Sequence, residues 1–568
     1  MKSGFGLRAV SALLLVLFLA SCSESEQPAQ YDVLILDGTI YDGSGGAPYV
    51  ADLAISGDRI AAIGELDDAT AGTVINAEGM AVSPGFINML SWATETLIVN
   101  GEGLSDLKQG VTLEVFGEGW SYGPWSDAMK AETIERQTDF KFDIEWTTLG
   151  EYLEFLENKG VAMNVASFVG ATTLRIHEIG YDDRLATDEE LARMQDLARE
   201  AMREGALGVG SSLIYAPANF ADTRELVALA SAAGEYDGMY ISHMRSESGQ
   251  IFEAMDELIT IAREGGVPAE IYHLKTSGKP NWDKIEAVFA KVEAARAEGL
   301  DITADMYTYP ASATGLDAVI PIWTQEGGID AWVERLKDPE VRARALAEMR
   351  DETNPSNRWV NVGPERTLLV GFRNDDLKPY IGKYLSEVAE ERGKDAAEVA
   401  LDLVVEDHTR VDVIYFSMTE ENVKKKIAQP WVAFDSDEGA YSDDEVFTRN
   451  SAHPRAYGTF ARVLGKYVRD EGIITLEDAI RRLTSFPATN LKIRDRGSLK
   501  EGYYADVVIF DPATVQDHAT FENPRQYATG VYHVFVNGGH ALRDGEATGE
   551  MPGRVVRGPG WVGWDEGE

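Results

Sequence analysis

From Tyr31 to about Val82 the chain sets short apolar runs between Asp-Gly and Gly-Asp turns, as in YDVLILDGTIYDGSG and ADLAISGDRIAAIG. The same texture returns near the other end in YYADVVIFDP and GVYHVFVNGGHAL. Apolar runs of this length bounded by such turns predict strands, so the two ends together predict one small β domain. The long middle alternates helices with short apolar runs. TDEELARMQDLAREAMREG opens on a capping-box pattern at Thr187 and Glu190 and stops at Gly205, and TLEDAIRRLTSFP runs from a Thr475 cap to the breaker Pro487. Between such helices lie GMYISHM, AEIYHLK, DITADMYTY and WVAFDSD. Strand after helix after strand implies parallel pairing, and about eight such units imply a (β/α)8 barrel. The predicted fold is α/β: a (β/α)8 TIM-like barrel over 83–489, a small β-sandwich from 31–82 and 490–550, and a tail over 551–568, whose GWVGWDEGE reads as an exposed end.

The first 21 residues have a different pattern. Lys2 and Arg8 precede an apolar stretch from Ala9 to Ala20, too short for a spanning helix and suited to an export signal. Leu19 to Cys22, LASC, resembles the lipobox of bacterial lipoproteins, which implies an acylated Cys22 as the mature N-terminus; the alternative is an ordinary cleaved signal with an incidental cysteine. Residues 22–30 then form a polar tether. The predicted setting is the cell envelope, lipid-anchored at the outer membrane and facing the periplasm, with no membrane contact beyond the anchor. Cys22 is the only cysteine, so no internal disulfide forms. A formal charge of −43 argues against a nucleic-acid partner, because phosphate contacts need clustered Lys and Arg.

In a (β/α)8 barrel the chemistry sits at the carboxyl ends of the strands. His243 ends MYISH, His273 ends EIYH and Asp437 ends WVAFDSD. Two imidazoles and a carboxylate on separate strands can converge on one divalent metal, with Zn2+ the best match to those donors. SPGFINMLSWATE, residues 83–95, is the puzzle. Period-two alternation turns Leu90 and Trp92 the same way at a strand end, where two histidines would make a metal-binding pair.

The motifs SPGFIN, QGVTLEVFGEG, GALGVGSSLIYAP, SHMRSE, IYHLKTSGK, DMYTYPASATG, FDSDEGA, HPRAYGTF and ADVVIFDPATVQD carry a resemblance. Over about residues 31 to 545 the chain resembles the amidohydrolase superfamily, and within it the N-acyl-D-amino-acid deacylase (D-aminoacylase) family. That resemblance implies a metal-bearing barrel with a β-sandwich made from both chain ends. It also implies an Asp and then a His-x-His pair after Pro-Gly-Phe-Ile, where this chain has Asn88, Leu90 and Trp92. Neither leucine nor indole ligates zinc, so the first of the superfamily's two metal positions is expected to be absent, with Leu90 and Trp92 filling its space. The second position draws on His243 and His273. The cysteine that the family adds there is missing, and Glu118 falls in its neighbourhood; a carboxylate at about 2 Å can take a thiolate's place on zinc.

The expected activity is metal-dependent hydrolysis of the C–N amide bond of an N-acyl (D-)amino acid or small D-peptide, with one Zn2+ and Asp437 as general base and then general acid. The resemblance gives Lys275, Tyr307 and Arg455 the task of clamping a free α-carboxylate. His453 reads as a positioning hydrogen-bonder, and Arg245 with Glu247 as an ion pair beside the metal or at the strand end. The competing reading is a metal-free barrel lipoprotein that binds amino-acid-like ligands.

Overall fold

The structure is a computed structural model and describes residues 29–566. The export signal and Cys22 lie outside the described residues. Five strands come first: β1 (Tyr31–Ile40), β2 (Tyr49–Ser56), β3 (Arg59–Gly64), β4 (Ala71–Asn76) and β5 (Ala81–Pro84). β1 pairs antiparallel with β2 on one edge and parallel with β4 and then β5 on the other. It can change partners because a bulge between Ile35 and Gly38 puts Asp37 at φ 57°, where its N–H donates to Asp52 Oδ1 at 2.9 Å.

The barrel follows. β6 (Phe86–Asn88), β7 (Val111–Phe116), β8 (Asn164–Ser167) with its continuation β9 (Val169–Gly170), β10 (Gly208–Ser212), β11 (Met239–His243), β12 (Ala269–Ile271) and β13 (Ile302–Ala304) each pair parallel with the next. The segment 431–438 closes the ring as the eighth staves: Val432 bridges Ala304 on one side, and Glu438 bridges Ser91 on the other. Asn88 ties this seam. Its Nδ2 donates to Glu114 Oε2 (2.9 Å) and Ser436 Oγ (2.8 Å), and its Oδ1 accepts from the Ser436 N–H (2.9 Å).

Between β13 and the eighth staves the chain inserts a unit that local periodicity does not announce. β14 (Ser312–Gly315), β15 (Thr367–Gly371) and β16 (Asp412–Tyr415) form an antiparallel sheet in the order β14-β16-β15. Helices such as Gly328–Lys337 and Ala396–Asp407 give it its own apolar cluster, centred on Leu336, Leu401 and Val413. β17 (Val507–Phe510), β18 (Val531–Val536), β19 (Gly539–Arg543) and β20 (Glu546–Ala547) then return to the first sheet, where β17 pairs antiparallel with β5. The result is a nine-stranded sheet built from both chain ends beside a TIM-like barrel.

Three local expectations change. Thr187 and Glu190 do form a capping box, but the helix at Thr475 stops at Leu483, and Pro487 sits inside a second short helix, Ser485–Asn490, within the first turns where its missing N–H costs nothing. The strand in FIN ends at Asn88, because the chain bends there to meet the closing staves; Leu90 turns into the core beside Ile87 and Ala433 while Trp92 faces the cavity, so the two do not share a face. The tail is not a free end. Residues 553–558 hydrogen-bond Val161, Val165 and Gly205 at the amino ends of the barrel strands, and Trp561 packs edge-on against Trp564 at 4.9 Å.

A buried ion pair joins two helices of the outer ring. Arg175 on Ala171–Glu178 is 0% exposed, and its Nη1 lies 2.6 Å from Glu225 Oε2 on Thr223–Gly234. Glu225→Ala should therefore cost about 3–5 kcal/mol in a denaturant titration, since it leaves a buried guanidinium with only the Asp182 and Arg184 carbonyls as acceptors. A loss under about 1 kcal/mol would mean that those carbonyls and entering water replace the carboxylate.

Candidate active site

A cavity of about 570 Å3 opens at the carboxyl ends of the strands. Glu118 reaches it from the loop after β7, flanked by Gly117 (φ 106°) and Gly119 (φ 72°). A Cβ on Gly117 would stand 2.3 Å from the Phe168 carbonyl oxygen, and one on Gly119 would stand 2.6 Å from Ser212 Cβ. Both glycines are thus required for the loop to press Glu118 between neighbouring strands. His243 is the last residue of β11, and His273 follows β12 at φ 36°, a left-handed conformation held by its N–H bond to Asp305 Oδ1.

These three side chains meet. Glu118 Oε1 lies 2.8 Å from His243 Nδ1 and 2.9 Å from His273 Nε2, all three residues are buried, and their ligand atoms fall within 4.8 Å of one another. Two imidazole nitrogens and one carboxylate oxygen are the donor set of an open zinc site, and the cluster fits a divalent cation. Burial alone would raise Glu118, yet His273 and His243 hold it well below the usual carboxylate range. Burial and Lys275 push His273 down, but Glu118 and Asp437 carry it up to about 9.

Lys275 and Glu247 stand behind the two imidazoles. Lys275 Nζ lies 2.6 Å from His273 Nδ1 and donates to Glu247 Oε1 at 2.6 Å, and His273 Nδ1 itself lies 3.2 Å from that same Glu247 oxygen. His243 Nε2 is buried without a hydrogen-bond partner, 3.7 Å from Glu247 Oε1. Arg245 does not pair with Glu247; it turns outward to Glu257 at 2.9 Å, because the two residues leave the strand end in different directions.

Asp437 does not join the metal cluster. At φ 49° its backbone is left-handed, and its carboxylate is gripped from both sides: Trp92 Nε1 donates to Oδ1 at 3.2 Å, and Arg455 Nη1 lies 2.6 Å from Oδ2. Arg455 also stacks over the Tyr307 ring at 4.4 Å. Lys275, Arg455, Glu118, His243, His273 and Asp437 all line the cavity; Tyr307 stands behind them, 1% exposed, with its hydroxyl unpartnered. His453 is a buried hydrogen-bonder, facing the Ala311 carbonyl at 3.1 Å and accepting from the Arg455 N–H at 3.0 Å; burial and Arg455 keep it neutral.

Two cavity cations have no sequence signal. Arg358 and Arg410 both come from the insertion. Arg358 Nη2 lies 3.6 Å from Glu247 Oε2, and Arg410 pairs with Asp317 at 2.8 Å while covering the Tyr215 ring at 4.5 Å. In a chain of net charge −43, four cations, Lys275, Arg358, Arg410 and Arg455, line one cavity together with six carboxylates.

The family model described as amidohydrolase family matches residues 115–539. A D-aminoacylase from Alcaligenes xylosoxydans xylosoxydans is 35% identical over 530 residues, 93% of this chain and 97% of its own length. The structure resembles a D-aminoacylase studied for its binuclear metal center, with one-metal activation and second-metal attenuation, at TM-score 0.77 and 32% identity, covering 93% of this chain and 100% of the other. It also resembles an N-acyl-D-glutamate deacylase from Bordetella bronchiseptica complexed with zinc and a phosphonate inhibitor that mimics the tetrahedral intermediate, at TM-score 0.77 and 29% identity, covering 93% and 99%.

Glu118→Ala and His273→Ala should each lose most zinc binding in calorimetric titration of metal-stripped protein, because either change leaves two donors where three are needed for a stable site. Asp437→Ala should retain it. Full occupancy in Glu118→Ala would remove the carboxylate from the metal cluster.

Proposed function

The chain belongs to the amidohydrolase family, and from that membership we propose that it hydrolyses N-acyl-D-amino acids with a single metal. The observation that carries this reading is the placing of Asp437 in the same cavity as the Glu118, His243 and His273 cluster, beside cations suited to a carboxylate. Glu118, His243 and His273 would hold Zn2+, which when bound supplies a Lewis acid that polarises the amide carbonyl and acidifies water. A free binder would have no use for two buried imidazoles sharing one carboxylate.

Asp437 moves the proton. Water adds to the amide carbon as an Asp437 oxygen takes its proton, and the C–N bond breaks as that proton passes to the leaving nitrogen. The products are a carboxylate and an amino acid. Trp92 fixes Oδ1 with a neutral donor, so the aspartate keeps one orientation without a second cation beside it. The α-carboxylate of the substrate draws on Arg455 and on Lys275, whose ammonium also donates to Glu247. In this reading Arg455 releases Asp437 Oδ2 as the substrate carboxylate arrives, and Tyr307 backs the guanidinium. The single-metal count is supported by Leu90 and Trp92, which supply no ligand atoms.

From the resemblance of Leu19–Cys22 to a lipobox we also propose that the enzyme works in the cell envelope, on a lipid attached to Cys22. A lipid-modified cysteine carrying more than one acyl chain anchors stably. Cys22→Ser should move the protein from the membrane pellet to the soluble fraction or leave its precursor uncleaved; wild-type protein wholly in the cytosol with Met1 intact would refute the envelope setting.

Asp437→Asn should abolish turnover of N-acetyl-D-amino acids while keeping metal, since an amide cannot carry the proton. Arg455→Ala should lower kcat/KM about ten- to a hundredfold on substrates with a free α-carboxylate and much less on the matching primary amides. Wild-type kcat in the first variant, or equal losses on both substrate types in the second, would sink these assignments.

A further inference from the structure

A second chamber of about 260 Å3 adjoins the main cavity, and the two share Glu95, Trp120 and Tyr122 as a neck. The neck lies on the same loop as the metal cluster: Trp120 and Tyr122 follow Glu118 by two and four residues. Trp120, Tyr122, Met129 and Tyr181 give the far chamber apolar walls. Its charges are settled internally, since Glu132 pairs with Arg136 at 2.9 Å and receives the Tyr181 hydroxyl at 3.2 Å. Glu95 is different. Its carboxylate accepts from the Tyr122 hydroxyl at 2.5 Å, and no basic side chain among the described residues pairs with it. Burial raises it above the usual carboxylate range, as expected of an anion that lacks a counterion.

In the proposed reading the substrate's α-carboxylate lies toward Arg455 and Lys275 and its scissile carbonyl toward Glu118, and the Glu118 loop runs on through Trp120 and Tyr122 to the neck. We propose that the neck and second chamber are the acyl-group subsite, and that it takes an aminoacyl group whose ammonium pairs with Glu95. The preferred substrates are then short peptides with a free N-terminus and a D-amino acid at the carboxyl end, rather than simple N-acetyl compounds. Hydrolysis adds water across the one amide bond, releasing the carboxyl-terminal D-amino acid and, from a dipeptide, a second amino acid. This rests on the amide-hydrolase reading and extends it to the acyl side.

The test uses isosteric pairs that exchange CH3 for NH3+: propionyl against glycyl, butyryl against β-alanyl, and pentanoyl against 4-aminobutyryl, each on the D-amino acid that turns over best as its N-acetyl derivative. In the metal-loaded enzyme at least one amine member should exceed its neutral partner about tenfold or more in kcat/KM, the scale of a charge-assisted hydrogen bond. In Glu95→Gln that ratio should fall toward one. Equal use of both members in every pair, or a ratio unmoved by the substitution, overturns the subsite. If Glu95→Gln does not fold, Thr133→Trp, which fills the far chamber, should remove wild-type preference for longer acyl groups over acetyl; an unchanged length profile also overturns it. If no N-acyl compound is hydrolysed at all, the amide-hydrolase reading fails, and the subsite is judged by calorimetric binding of the same pairs, which must still favour the amine member.

Discussion

The Asn88 carboxamide is the tie on which the arrangement of the site depends. One side chain bonds Glu114 on β7 and Ser436 on the closing staves, so the ring is sealed where its first and last strands meet. The seal sets the register of everything beyond it. The Asp437 N–H reaches the Leu90 carbonyl at 2.9 Å and the Trp92 N–H reaches that of Glu438 at 2.8 Å, which brings the indole and the aspartate carboxylate within hydrogen-bond range. An aspartate at position 88 could not donate to Glu114. Burial already lifts Glu114 to about 7, and a second carboxylate beside it would compound that cost. Asparagine here seals the ring without setting a second buried carboxylate beside Glu114.

Much of this was legible in the sequence wherever one residue's position follows from its own strand. His243, His273 and Asp437 each close an apolar run, and a parallel barrel sends such residues to one mouth. Glu118 was legible only through the family resemblance, as the carboxylate near the missing cysteine; the positive φ values of its flanking glycines, 106° and 72°, which let it turn inward, are a finding of the structure. The alternation argument failed at Leu90 and Trp92 because it assumes a strand that continues, and this one stops at Asn88. Arg358 and Arg410 were not legible at all: they belong to an inserted unit whose place over the mouth is set by tertiary packing, and no local pattern encodes that. The tail was misread for a related reason, since its glycines and polar residues look solvent-loving until their backbone finds Val165 and Gly205.

The electrostatics divide by length scale. A charge of −43 repels anions at a distance, while salt at physiological strength screens that field beyond about 8 Å. Inside the cavity the four cations are within direct reach and each is held by an acid: Lys275 by Glu247, Arg410 by Asp317, Arg455 by Asp437, and Arg358 near Glu247. An arriving carboxylate competes with a resident one for the same donor, so selectivity comes from exchange of partners rather than from an unpaired charge waiting in the pocket.

The sheet that joins the two chain ends has a consequence for the order of assembly. β5 finds β17 only after the whole barrel has been made, and the barrel strands gain their last backbone partners from residues 553–558, among the final ones synthesised. Contacts between such distant positions form late, because the chain loses loop entropy before they repay it. A partly made chain therefore lacks the partners that lock its two ends together, and the barrel strands wait for the last segment to complete their backbone pairing.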